Sequence, residues 1–153
     1  MKAKVRLASI DDCNKLGPKL READKRELKA SCGYGPVTAL TLSMNASDNA
    51  YVLADKDDMA VLMFGVVSSP QDSVGVPWML GSNGIYKHTR KLTTECKTWL
   101  EFIHKDYDLL FNYVHAENPK AIRWLQWMGF TMVRLIPDYG VGKEPFYEFV
   151  KVK

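Results

Sequence analysis

The sequence is short of several things at once, and each shortage closes off a class of protein. No apolar run comes near the ~20 residues that a bilayer-spanning helix requires, so the 153-residue chain is expected to be soluble and intracellular. The opening "MKAKVRLASIDD" alternates charged and apolar residues without an apolar stretch, so it does not read as a signal peptide. Cysteine is scarce and odd in number: Cys13, Cys32 and Cys96, with no C-x-x-C pair. That suits idle thiols in a reducing cytoplasm better than a disulfide frame, a nucleophile or a metal centre, and no metal site is expected. Neither sign of charge dominates. A formal +3, from 21 basic and 18 acidic residues, lacks the dense basic stripe of a nucleic-acid binder but leaves room for an anionic ligand. Repeats, low-complexity tracts and linkers are missing too, which makes residues 1–153 a single domain.

What is there has the balance of a globular protein, 46% apolar and 25% charged, with enough length for one real core. "KVRLAS" alternates as a strand, and Ser9 and Asp11 offer caps to a helix that Gly17-Pro18 interrupts. "READKRELKAS" (Arg21 to Ser31) is strongly helical; Val37, Leu40 and Met44 then repeat as a second amphipathic helix. "AYVLAD" and "MAVLMFGVVS" read as a hairpin, and "VPWMLG" (Val76 to Gly81) as a short strand whose Pro removes one ladder donor. Leu92, Cys96, Trp99, Leu100 and Ile103 form the buried stripe of a helix. "LLFNYVHA" is nearly continuous in apolar residues, as a strand in the middle of a sheet is. A helix from Pro119 to Met128 and the strands "FTMVRL" and "EPFYEFVKV" complete the chain. The order β-α-α-β-β-β-α-β-α-β-β predicts an α/β (α+β) fold: a mixed sheet with helices on both faces.

The stretch "HAENPKAIRWLQWMGF" (His115 to Phe130) is the most specific in the chain. Asn118 caps the helix, Pro119 takes its first position, and Gly129 suits a left-handed C-cap that turns the chain back into Phe130. Asn118, Ala121, Gly129 and Phe130 fall on a pattern that resembles the N-x-x-A-x-x-x-Y-x-x-x-G-F segment of the GNAT superfamily of acyl-CoA-dependent N-acetyltransferases. The element order resembles theirs from Lys4 to Val152. A closer resemblance covers nearly the whole chain. "READKRELKAS", "PWMLGS", "NYVHAEN", "RWLQWMGF" and "PFYEF" look like the small GNAT-like proteins of T7-type bacteriophages, the internal virion protein A-like family. It implies a protein acting in the cytoplasm of an infected bacterium, on host components or in virion assembly, with possible association with the virion.

The GNAT resemblance implies a splayed central strand pair, "VPWMLG" and "LLFNYVHA", with the pantetheine arm of acetyl-CoA between them. Backbone N–H groups at Trp78, Met79 or Leu80 would hold the thioester carbonyl, although Trp78 and Met79 also suit plain core packing. Gly84, Lys87, His88 and Arg90 would meet the coenzyme's phosphates, with Asn118 helping to hold it. Here the chain departs from the family. "GSNGIYKHTRKL" replaces the usual R/Q-x-x-G-x-G/A loop, and Leu125 stands where many members carry a proton-donating Tyr, with Tyr86, Tyr113 and Tyr139 as possible substitutes. Amine attack also needs a base. Asp24, Glu27 and His115 are the candidates; the first two suit helix ion pairs equally well, and His115 a hydrogen-bonded strand end. Two functions follow from the resemblance. One is an N-acyltransferase acting on an amine of a small molecule or host protein. The other is a non-catalytic GNAT scaffold that binds a host or virion protein, for which Trp127, off the buried stripe of its helix, is a candidate contact.

Overall fold

In a computed structural model that describes residues 3–153, seven strands form one sheet. They are β1 Lys4–Leu7, β2 Ala50–Ala54, β3 Ala60–Ser68, β4 Val74–Gly81, β5 Leu109–His115, β6 Thr131–Tyr139 and β7 Glu144–Val152. Their spatial order is β1-β2-β3-β4-β5-β7-β6. Every neighbouring pair is antiparallel except β4 and β5, which run parallel. The helices are α1 Ile10–Leu16, α2 Glu22–Ser31, α3 Pro36–Ala46, α4 Thr89–Ile103 and α5 Pro119–Trp127, with single 3-10 turns at Gly17–Lys19 and Asn83–Lys87.

The side-chain alternation of the central strands feeds two cores. Leu53, Phe64, Leu110, Val114 and Phe149 face α4 and α5 and meet Leu92, Cys96, Leu100 and Met128. Val52, Ala54, Met63 and Leu80 face the other way, against Cys13, Leu16 and Leu40 of α1 and α3. Helices therefore cover both faces, as the element order predicted. The Gly17-Pro18 break lets α1 end against α3, where a Cβ on Gly17 would come within 2.5 Å of Val37 Cγ2. Gly129 has φ +100°, the left-handed turn expected after α5.

Between β1 and β2 the chain makes three helices where the predicted order counts two, because the Gly17-Pro18 break separates α1 from α2, and strand boundaries shift at β4 and β6. β4 starts at Val74, two residues early, and β6 runs on past "FTMVRL" through Pro137 to Tyr139. β6 lies on the sheet edge, where a missing N–H breaks no ladder, and its register slips between Ile136 and Tyr139. Cys13 and Cys96 are buried and Cys32 half-buried, all unbridged; burial pushes the Cys96 thiol up to about 12, so it stays protonated and idle. Among the described residues, no helix is long and apolar enough to cross a membrane, and no group of three His, Cys, Asp or Glu side chains could hold a metal ion.

The start of the chain is tied down by one carboxylate. Ser9 and Asp12 form a reciprocal capping box on α1, and Asp12 also takes a two-pronged bond from Arg6 of β1, at 2.8 and 2.9 Å. Burial pushes the Asp12 carboxyl up, but Arg6 and Ser9 outweigh it and hold the group below its ordinary value. The stabilisation is thus complete above the unfolded-state value of about 3.9 and fades as pH falls through the depressed folded-state value. Asp12→Ala removes the N3 half of the capping box and a charged hydrogen bond, which should lower unfolding free energy by about 2–3 kcal/mol in urea titration at pH 7. The deficit should shrink when the titration is repeated near pH 3.

Candidate functional site

β4 and β5 begin as a pair and do not continue as one. They pair at Val74 with Leu109 and at Gly75 with Leu110, and there the ladder stops. Pro77 has no N–H to give the next rung. Its C=O accepts instead from the side-chain Nδ2 of Asn112 at 2.7 Å, while Asn112 Oδ1 accepts the N–H of Tyr113 at 2.8 Å. A side-chain amide fills the root of the fork, and the strands part beyond it.

Register decides which backbone groups line the opening. Ser82 N–H bonds to Val61 C=O, so alternation along β4 turns Leu80 and Trp78 toward β3 as well. Gly81, Met79 and Pro77 face the slot. Of Trp78, Met79 and Leu80, then, Met79 alone directs its N–H into the opening, half-buried and without a strand partner. Trp78 spends its indole N–H on Ser47 Oγ at 2.8 Å, and Leu80 belongs to the core under α1 and α3.

The far end of the slot is closed by α2. Gly81 C=O accepts from Arg21 N–H at 2.9 Å, and Gly81 N–H donates to Asp24 Oδ2 at 2.9 Å. One turn further along α2, Glu27 Oε1 accepts from His115 N–H at 2.9 Å and from Asn118 Nδ2 at 3.2 Å. The two candidate carboxylates, three residues apart on α2, thus hold one strand each. Their chemistry differs. Both oxygens of Asp24 are taken, by Arg21 at 3.1–3.2 Å and by Gly81. Glu27 Oε2 carries no hydrogen bond and is reached by solvent. Burial pushes both carboxyls above their ordinary range; Arg21 counters the shift at Asp24, and the His115 N–H counters it at Glu27.

His115 is 1% exposed and has both ring nitrogens engaged. Nδ1 accepts from Glu117 N–H at 3.0 Å, which leaves Nε2 to donate to Glu144 Oε1 at 2.8 Å. It fixes the end of β5 and has no lone pair left for a substrate proton. Asn118 caps α5 by accepting from Ala121 N–H at 3.4 Å.

The loop after β4 differs from a flexible phosphate loop. Gly84 donates its N–H to Ser82 Oγ inside the 3-10 turn, and a Cβ there would meet Val61 at 3.0 Å. Lys87 and Arg90 are exposed, His88 starts α4 without a side-chain cap, and no acid sits in the first turn of α4. Lys120 brings α5 to the same place, its Nζ 6.0 Å from the Tyr86 ring, while Tyr86 lies beside Arg21. Lys87, Arg90 and Lys120 make no ion pair among the described residues. Leu125 packs against the core, so that position offers no proton. Of the substitute tyrosines, Tyr113 donates to Glu148 at 3.0 Å and stacks on Tyr139 at 4.5 Å, and Tyr86 is exposed. Cavities of ≈ 190 Å³, beside Tyr51 and Trp99, and ≈ 350 Å³, beside Asp72 and Tyr107, lie away from the slot. Arg21 and Asn112 are site residues that sequence reasoning passed over; the polar Asn inside an otherwise apolar strand was the available signal.

No protein-family model matches the sequence, and no curated protein does. Solved structures do match. Ard1 from Thermoplasma volcanium superposes with a TM-score of 0.74 at 12% identity, covering 99% of this chain and 98% of that one. A GCN5-related N-acetyltransferase from Kribbella flavida gives 0.72 at 18%, covering 99% and 98%. Spermidine N-acetyltransferase from Vibrio cholerae, solved with CoA and spermine, gives 0.71 at 12%, covering 99% and 95%. At such identities the likeness is one of fold along the full chain, a fold that this protein shares with N-acetyltransferases of known structure.

Proposed function

We propose that this protein binds acetyl-CoA, or another coenzyme A thioester, in the slot between β4 and β5 and passes the acyl group to an amine. The observation that carries this reading is the parted strand pair with one unpartnered donor, Met79 N–H, facing into it. That the Vibrio cholerae neighbour was solved with CoA supports the choice of ligand. The bound thioester supplies an activated carbonyl and a sulfur leaving group. Met79 N–H, free of a strand partner, would donate to the carbonyl oxygen as charge develops there. Glu27, anchored through Oε1, offers Oε2 to the proton that the attacking amine must lose. Asn118 steadies Glu27, and Asp24 holds the strand that carries Met79. Lys87, Arg90 and Lys120 supply positive charge near the start of α4 for the phosphates, with His88 offering a ring N–H there and Gly84 shaping the turn before them. With Leu125 apolar, the departing sulfur takes its proton from solvent.

The setting we infer is a T7-type phage infection, in the host cytoplasm, and it rests on the sequence runs quoted above. A second reading, a GNAT scaffold acting in virion assembly or on a host protein, draws support from two observations. Leu125 cannot donate a proton, and Trp127 stands 51% exposed, stacked on Trp124 at 5.6 Å with Lys97 Nζ 4.0 Å over its ring.

Titration calorimetry with acetyl-CoA should show binding that weakens about tenfold or more in Lys87→Ala/Arg90→Ala, a loss of about 1.4 kcal/mol or more. Binding untouched by that pair would move the phosphates elsewhere, and no heat at millimolar coenzyme would favour the scaffold. Once an acceptor amine is found, Glu27→Gln should slow transfer by about 10²–10⁴ while coenzyme affinity holds. The wild-type rate should climb with pH through a midpoint above the ordinary glutamate value of about 4.3, because only the deprotonated carboxylate accepts a proton. Glu27→Gln should lack that limb; a variant with an unchanged pH profile would remove Glu27 as the base.

A further inference from the structure

We propose that Leu20–Asp24 is a latch lying along the stretch of β4 that the coenzyme arm would use, so that the slot described here is the closed state of the site. The inference rests on the proposed coenzyme site and adds a gate to it.

The argument comes from counting rungs. Groups on one edge of a strand recur every second residue, about 6.8 Å apart. On the slot edge of β4 these are Pro77, Met79 and Gly81. Pro77 has no N–H and its C=O is held by Asn112. Both groups of Gly81 are held by α2, through Arg21 N–H and Asp24 Oδ2. Met79 alone is left, a single rung. A chain of amides docking by strand addition needs successive rungs. To run from Met79 to the basic residues at Lys87 and Arg90, it must also pass Gly81. The chain's own backbone fills that place: Leu20 makes an antiparallel bridge with Ser82, and Arg21 bonds to Gly81. Leu20–Arg21 is thus a short strand added to β4.

Leu20 is 3% exposed in the core with Leu16 and Leu40 and serves as the hinge, so the part built to come away is Arg21 to Asp24. Leu20 and Arg21 are extended residues between the 3-10 turn Gly17–Lys19 and α2. Arg21 has no side-chain cap to hold it at the helix start. Asp24 carries its own counter-charge in Arg21, three residues back, so the pair can leave β4 together without stranding a buried charge. The other end of α2 is pinned. Gly142 N–H donates to Ala30 C=O at 2.9 Å and Val141 N–H to Ser31 C=O at 3.2 Å, from the turn between β6 and β7. The helix has a fixed C-terminal end and a releasable N-terminal one.

Two substitutions weaken the latch by different means. Asp24→Ala removes the acceptor from Gly81. Arg21→Pro removes both the N–H that bonds Gly81 C=O and the guanidinium that pairs with Asp24, and the backbone at Arg21, φ −58° and ψ 150°, already suits proline, as does the extended Leu20 before it. In both, hydrogen exchange of the peptide spanning Met79–Ser82 should speed several-fold in the free protein. Coenzyme A should bind at least about threefold tighter in calorimetry, because apparent affinity is reduced by the closed fraction. In the wild type, saturating coenzyme A should speed exchange across Leu20–Asp24. Equal or weaker binding in folded variants overturns the latch and leaves the coenzyme site standing. No binding by wild type or variants at millimolar coenzyme A overturns both. If neither variant folds, the wild-type exchange decides: unchanged or slower exchange across Leu20–Asp24 on adding coenzyme A overturns the latch.

Discussion

Parallel strands that start side by side go on pairing until a rung is lost, and in this fold the loss falls at Pro77. A residue without an N–H leaves β5 with nothing to accept from β4 at that level. Asn112 then supplies, from its side chain, a donor for Pro77 C=O and an acceptor for Tyr113 N–H. Both orphaned groups are satisfied without drawing the strands together, and an unsatisfied buried polar group would have cost more than the missing rung. Every feature of the candidate site stands downstream of that separation: the unpaired Met79 N–H, the end of the β4–β5 ladder, and the need for α2 to close the far end.

The closure divides labour between two carboxylates that look equivalent on paper. Asp24 is saturated and ion-paired, so its work is to hold β4. Glu27 is anchored through one oxygen and open at the other, which is the arrangement a proton acceptor needs. His115, the third candidate base, has spent both nitrogens keeping the end of β5 in place. The difference between holding and reacting lies in which lone pairs remain unclaimed.

Much of this frame could be read from the chain. The Asn118 cap, the left-handed Gly129 and strand β7 at Glu144–Val152 all follow from local rules that tertiary context did not override. The extension of β6 through Pro137 was hidden because edge position, which excuses a proline, belongs to the sheet and not to the segment. Within the candidate site, residues 78–80 were legible as a strand beside the parting of the sheet, but the choice of Met79 depends on the register of β4 against β3. A one-residue slip would have turned Trp78 and Leu80 into the slot instead. The separate offices of Asp24 and Glu27 were equally out of reach, since they depend on which strand end lies beneath each turn of α2.

The amide of Asn112 has one further implication. It is neutral and two-handed, one hand an NH₂ toward Pro77 and the other an oxygen toward Tyr113. Exchange the NH₂ for oxygen, as hydrolysis of the amide to a carboxylate would, and two acceptors confront each other at the crotch of the sheet. Repulsion would then pull against the two rungs just below, Val74 with Leu109 and Gly75 with Leu110, which alone pair the strands. The geometry of the whole cleft is therefore hostage to the chemical ageing of a single nitrogen.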